Sequence, residues 1–298
     1  MSVFIQVVLP VLLIFGAGYL IQIVARLDIK SLATVTLYIM LPNLVFNTFY
    51  EAELDQKYVI MVVFAAILLA AIVAINKLTA YFRNYNQSME SGMILSTAFM
   101  NSGNYGTPII LFAFGEKAFM YAISFMVLQA IIMNFFGVYY AARGSAGIKL
   151  ALQSVLKMPP TYAVIVALIM NLGSIPVPEN LMSAINLVGD ATIPTMMITL
   201  GMQLAEITVK NMDWKKVTYA TSVRLLASPL IAYLITLVLP MDPLMAKVLI
   251  VAAACPSAAT TTMYALQFDA KPDLVSSITL VTTLGSLITI PILLTLLS

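Results

Sequence analysis

Charge occurs in this chain almost only at the edges of long apolar runs. Windows of membrane-spanning length lie near 3–25, 31–50, 58–76, 91–115, 118–142, 158–178, 180–205, 217–240, 246–268 and 274–297. A helix rises 1.5 Å per residue, so about 20 residues cross the roughly 30 Å hydrocarbon layer. Eight of the ten windows carry no charge away from their edges; Asp190 lies inside the seventh and Arg224 inside the eighth. Hydrocarbon offers no hydrogen bonds, so each window must pair its own backbone and fold as a helix. The pattern predicts an all-α integral membrane protein with ten transmembrane helices.

Composition narrows the function classes. Of 298 residues, 61% are hydrophobic and 9% charged, against about 25% charged in soluble domains. The net charge of +2 and the lack of a basic tract give no sign of a nucleic-acid partner. With no histidine and a single cysteine, a His/Cys zinc site and an intramolecular disulfide are both excluded. No metal site or cofactor is expected. The apolar run at the N-terminus has no basic start and is about 20 residues long, so it reads as a spanning helix and not as a cleaved signal. Residues 144–157 read as a short polar linker on the cytoplasmic side.

Counting basic residues orients the chain. Loops 1–2, 3–4, 5–6, 7–8 and 9–10 hold Arg26, Lys30, Lys77, Arg83, Arg143, Lys149, Lys157, Lys210, Lys215, Lys216 and Lys271, which is eleven of the fifteen Lys and Arg. The other side holds Lys57, Lys117 and Lys247. Eleven against three puts the first side in the cytoplasm and both termini outside, in a multi-pass plasma-membrane protein.

Prolines suggest a repeat. Helices 2 and 7 contain Pro42 and Pro194; helices 4 and 9 contain Pro108 and Pro256. The separations are 108 − 42 = 66 and 256 − 194 = 62. Proline is common in membrane helices, but matched positions in two pairs favour two five-helix units, 1–143 and 158–298. Five is odd, so the units are inverted in topology, a recurrent arrangement in secondary transporters.

The sequence "FMNSGNYGTPII" runs from Phe99 to Ile110. Proline removes a donor and clashes with the preceding turn, and glycine loosens the same segment. Unwound backbone survives at membrane depth only where protein or water surrounds it, so 101–108 points to a central cavity. A second half-helix should start near Pro108, with its amides and positive dipole end facing the break. Helix 9 should break likewise near Pro256, with Ser257 and Thr260 at hand. Two such ends form an anion site without a lysine or arginine. Asn101, Gly103, Asn104, Tyr105, Pro108, Pro256, Ser257 and Thr260 are the candidate binding residues, with Asn43 beside Pro42.

"NSGNYGTP" is similar to the GN-x-G-x-P signature in helix 4 of the auxin efflux carrier family, and "CPSAATTTMYALQFDAKPDLVSSITLVTTLGSLITIPI" resembles that family's last two helices. The family includes plant PIN carriers and bacterial carriers of small organic acids. The resemblance covers essentially the whole chain. It implies an NhaA- and bile-acid-symporter-like fold, with a scaffold domain of helices 1, 2, 6 and 7 and a transport domain of helices 3–5 and 8–10. It also implies elevator-type transport of an organic acid anion at the crossing of helices 4 and 9, and a homodimer. Asn101 matches the asparagine that meets the substrate carboxylate in PIN carriers. Met100 stands where those carriers have proline, and their long cytosolic loop is missing, which suits a compact prokaryotic carrier.

Coupling has one acidic candidate. Helices 4 and 9 contain no carboxylate, so a strong sodium site is not indicated and proton coupling is favoured over sodium. Asp190 is the one carboxylate well inside a span, where burial would raise its pKa; capping a helix or pairing with a base is the competing role. A sodium-coupled symporter of the bile-acid type is the alternative carrier. An intramembrane enzyme would need catalytic groups that the chain lacks: it has no HExxH and no second membrane aspartate to join Gly189–Asp190. A channel is the remaining rival. Among the other polar residues, Arg224 reads mainly as snorkelling to the interface, Lys77 and Trp214 as interfacial anchors, and Cys255 as packing.

Overall fold

A computed structural model describes residues 7, 9–52, 56–142, 145–206 and 212–297. Arg143 and Lys210, counted above for orientation, lie outside the described residues, as do 3–6 and 8 of the first window. Among the described residues all regular structure is helical and no strand occurs. Six helices are long and apolar enough to cross a membrane: α2 (Ile29–Tyr50), α3 (Gln56–Arg83), α6 (Glu116–Ala142), α9 (Glu179–Glu206), α10 (Trp214–Val238) and α13 (Pro272–Leu297). Shorter helices are α1 (Leu9–Ala25), α4 (Gln87–Ala98), α5 (Thr107–Phe114), α7 (Ser145–Leu156), α8 (Pro159–Leu172), α11 (Pro243–Ala253) and α12 (Thr260–Gln267). The stretch expected as a loop at 144–157 is largely helix α7. Ala151, Val155 and Met158, just past its end, recur at helical spacing, a signal outweighed in the sequence by polar neighbours.

The chain divides into two compact units. The first comprises 1–54, 103–128 and 155–206; the second comprises 55–102, 129–154 and 207–298. In the first, α1 and α9 meet backbone to backbone. A Cβ on Gly18 would fall 2.2 Å from the Ile198 carbonyl oxygen, and one on Gly201 would fall 2.0 Å from that of Phe15. Small residues allow this approach, which is how helices associate where lipid removes the hydrophobic driving force. Gly189 lets α9 approach the backbone of Leu44 in α2 in the same way. The Asn171 amide then ties α8 to the end of α2, donating to the carbonyls of Tyr50 at 2.6 Å and Ala52 at 3.0 Å.

The second unit uses more polar ties. Thr79 on α3 and Tyr219 on α10 share a 2.6 Å hydroxyl contact. Ser91 on α4 donates to the Tyr140 carbonyl at 2.8 Å, and Tyr264 on α12 donates to Asn134 at 2.8 Å. Buried hydroxyls need such partners because bare desolvation costs about 1–3 kcal/mol each.

Three prolines follow a π-helical turn at the same offset. The turns are Thr36–Met40 before Pro42, Ser102–Gly106 before Pro108, and Val223–Ala227 before Pro229. A proline cannot donate to the carbonyl four residues back, and a wider turn shifts that register. In α2 the Leu41 amide donates to the Thr36 carbonyl, and the Asn43 side chain donates to the Ile39 carbonyl at 2.7 Å. The helix therefore continues through Pro42 unbroken.

Candidate functional site

True breaks occur in the second unit. Helix α4 ends at Ala98, and Phe99 is extended at φ −111°, ψ 117°. Helix α11 ends at Ala253, and the chain is irregular until α12 starts at Thr260. The two interruptions pair as a short antiparallel bridge between Met100 and Ser257. The Asn101 amide donates to the Pro256 carbonyl at 2.8 Å, and the Ala258 amide donates to the Phe99 carbonyl at 3.0 Å. The Ser257 amide donates to the Thr282 hydroxyl of α13 at 3.2 Å, and its own hydroxyl donates to the Ser96 carbonyl. Each break thus supplies partners that the other lacks, as buried backbone requires. The irregular segment is narrower than expected from 101–108: it covers 99–101, and the chain is helical again from Ser102.

Arg224 completes the crossing. Its side chain is 0% exposed. It donates to the Thr97 carbonyl at 2.6 Å, to the Ser228 hydroxyl at 2.5 Å and to the Ala253 carbonyl. Ser228 also donates to Ala253 at 2.9 Å. Thr97 and Ala253 belong to the last turns of α4 and α11, whose final carbonyls have no intrahelical donors and carry negative partial charge. One guanidinium therefore caps both half-helices. Its planar fork of donors suits two acceptors at once, which a lysine ammonium does not. Its Nε is buried without a partner, and no carboxylate pairs with it among the described residues.

This corrects the snorkelling reading of Arg224. Helix α10 begins at Trp214, so Arg224 lies ten residues in, about 15 Å from the helix start at 1.5 Å per residue. That is mid-membrane depth, beyond the reach of a side chain to the interface. The usable signal was the distance from the interfacial Trp214 together with the absence of acidic residues in helices 4 and 9.

The other predicted residues fall as follows. Asn101 is 7% exposed, and its carboxamide has no hydrogen-bond partner among the described residues. Pro256 and Ser257 are buried in the bridge, while Thr260 is exposed in the first turn of α12. Gly103, Asn104, Tyr105 and Pro108 belong to the first unit. There Tyr105 packs on Phe15 with ring centroids 5.6 Å apart, and a Cβ on Gly103 would meet the tips of Met126 and Met196 at 3.1 Å. Asn104 is half-buried, and its carboxamide has no hydrogen-bond partner among the described residues. Asn43 engages its own helix. Asp190 closes the first segment of α9 and is exposed, not buried as its place within the seventh window implied. Gly189 faces Leu44, which turns the next side chain outward. No group of three His, Cys, Asp or Glu residues suited to a metal occurs among the described residues.

The arrangement offers a buried cation, an unengaged buried amide and a helix N-terminus at α12. A profile of a membrane transport protein family matches residues 145–294. An uncharacterised transporter of Methanothermobacter thermautotrophicus is 28% identical over 293 residues, covering 96% of each chain. Another, of Methanocaldococcus jannaschii, is 26% identical with the same coverage. These relatives are transporters, not enzymes. The chain belongs to the membrane transport protein family, the auxin efflux carrier-like group that its helix 4 signature resembles.

Proposed function

We propose that this protein is a secondary transporter that carries a small organic acid anion by alternating access and binds it at Asn101, beside the bridge between Met100 and Ser257. The observation that carries the reading is the buried charge balance of the second unit: Arg224 is fully buried, and no described carboxylate answers it. Burying an ion costs several kcal/mol after relaxation. Acceptors to a charged donor return about 1.5–3 kcal/mol each, and helix ends add about 0.3–2 kcal/mol. These terms hold the arginine in place but leave its unit of positive charge. A carboxylate ~8 Å away would gain about 2 kcal/mol at an effective dielectric of 20. The free amide of Asn101 supplies a donor.

The same reading has ten helices in two inverted repeats, 1–143 and 158–298, the plasma membrane as the site, both termini outside, and a homodimer. The matched proline spacing, the eleven-to-three distribution of Lys and Arg, and the family resemblance support these points in turn. Proton coupling is favoured over sodium because helices 4 and 9 lack carboxylates. Asp190 is the coupling candidate as the one carboxylate well inside a span.

A thermal-shift panel of organic acids and their carboxamides, run with and without sodium at two pH values, tests the reading. Carboxylates should stabilise the protein without sodium, and the matched amides should not. A panel in which no acid stabilises the protein overturns the proposal, and a strict sodium requirement favours the bile-acid type of symporter. Unchanged pH dependence of uptake in Asp190→Asn removes Asp190 from coupling.

A further inference from the structure

The second unit carries a cavity that the transport reading does not use. It encloses about 670 Å³ and is lined by Thr79, Phe82, Arg83, Tyr85, Trp214, Lys215, Thr218 and Tyr219. Arg83 is the last residue of α3, and Trp214 and Lys215 open α10. The pocket therefore sits where α3 ends and α10 starts, on the side whose loops hold most of the lysine and arginine.

Its chemistry points to an anion attached to an apolar body. The lining has two cations and no acid. Neighbouring Lys216 is paired with Asp213, which also caps α10, whereas Arg83 and Lys215 have no acidic partner among the described residues. Lys215 lies in the first turn of a helix, where a positive charge opposes the macrodipole. Helix stability therefore does not account for it; an anion in the pocket would relieve both the lysine and the helix end. The Thr79 and Tyr219 hydroxyl pair lines the same cavity with further hydrogen-bonding groups. Beside the cations, Phe82 is 76% and Trp214 62% exposed. A soluble anion has no use for such a rim, but acyl chains cover it, and aromatic residues gather at that depth. The chain end is fixed too: Asn84 takes a left-handed φ of 50°, and the Tyr85 amide donates back to the Ala80 carbonyl at 2.9 Å.

We propose that this cavity is a binding site for an anionic phospholipid, with the phosphodiester held between Arg83 and Lys215 and the acyl chains lying on Phe82 and Trp214. Basic pockets between membrane helices on the cytoplasmic side are suited to such headgroups. Binding here fastens the end of α3 to the start of α10, next to the Thr79–Tyr219 contact.

The test uses the whole purified protein in detergent. Phosphatidylglycerol, phosphatidylcholine of the same chains, and inorganic phosphate are each added, and thermal unfolding and retained lipid by native mass spectrometry are read. Phosphatidylglycerol should raise Tm by about 3–5 °C beyond phosphatidylcholine, and phosphate alone should not. In Arg83→Gln/Lys215→Gln the extra shift should vanish and one retained phosphatidylglycerol should be lost, while the phosphatidylcholine response stays. Both residues are exposed, so the variant keeps its fold. Equal shifts from the two lipids, or an undiminished phosphatidylglycerol shift in the double variant, overturn the site. A matching shift from inorganic phosphate overturns its assignment to a lipid.

Discussion

Pro42 and Pro256 both stand in apolar helices next to hydrogen-bonding side chains, yet the first leaves its helix whole and the second marks a break. In α2, the π-helical turn and the Asn43 amide restore the donors that proline removes, all from within one helix. At α11 the partners come from elsewhere: Asn101 and Arg224 donate to its carbonyls, while the Phe99 carbonyl and the Thr282 hydroxyl accept from its amides. Proline permits an interruption, and partners outside the helix decide whether one persists. That difference separates a self-contained element from one that holds polar groups open at membrane depth.

Removing the outside partners should break the comparison most severely. Arg224→Met removes the side-chain donor to the buried Thr97 carbonyl and leaves Ala253 with Ser228 alone, and should cost about 2–4 kcal/mol, at about 1–3 kcal/mol per buried group left short of a partner. Heating with detection by size-exclusion chromatography reads the loss. Arg224→Lys should recover only part of it, because an ammonium lacks the fork that spans both helix ends. A fully stable methionine variant would mean that the breaks hold themselves.

In the first unit the corresponding weak point is packing. Gly201→Ala puts a methyl against the Phe15 carbonyl and should cost about 1–3 kcal/mol, read by the same heating curve. A neutral result would refute the close approach of α1 and α9.

Asparagines sharpen the contrast. Asn101→Ala should weaken carboxylate binding about 10–100-fold, the worth of one charge-assisted hydrogen bond, with little change in Tm. Asn43→Ala should cost under about 1 kcal/mol in stability and change binding less, since its amide is already engaged in α2. Titration of both variants with one stabilising acid decides between them.

The smallest effect belongs to the cap of α10. The Lys216 ammonium holds the Asp213 carboxyl below its ordinary value. Its contribution is therefore full above the ordinary carboxylate range and fades as pH falls through the lowered value. Asp213→Asn keeps the cap and loses only the exposed pair, a few tenths of a kcal/mol. Tm measured from pH 7 to 3 should converge with the wild type at the acid end.

Much of the helical plan was legible because hydrocarbon enforces it. Charge at the edges of apolar runs marked where helices stop, Pro256 marked one interruption, and the glycines with Pro108 placed the other a few residues beyond its actual position at 99–101. The helix over 145–156 was hidden by polar residues that a segment outside the apolar runs tolerates. Arg224 was misread because local position suggests snorkelling, while its partners lie 127 residues away at Thr97 and 29 away at Ala253. Asp190 was misjudged for a related reason: depth along a helix does not say which face a side chain takes, and Gly189 sets that here. The role of Asn101 as an unengaged amide needed the pairing of its own backbone with Pro256, which spacing alone does not encode.

Exchange of a radiolabelled organic acid across liposomes tests the central claim most directly. The acid would be the one that most stabilises the wild type, and Asn101→Ala would be run beside it. Uptake should be saturable in the wild type and accelerated by the same acid inside, with at least a tenfold loss in a variant that unfolds at the same temperature. Wild-type exchange by a well-folded Asn101→Ala protein would contradict it.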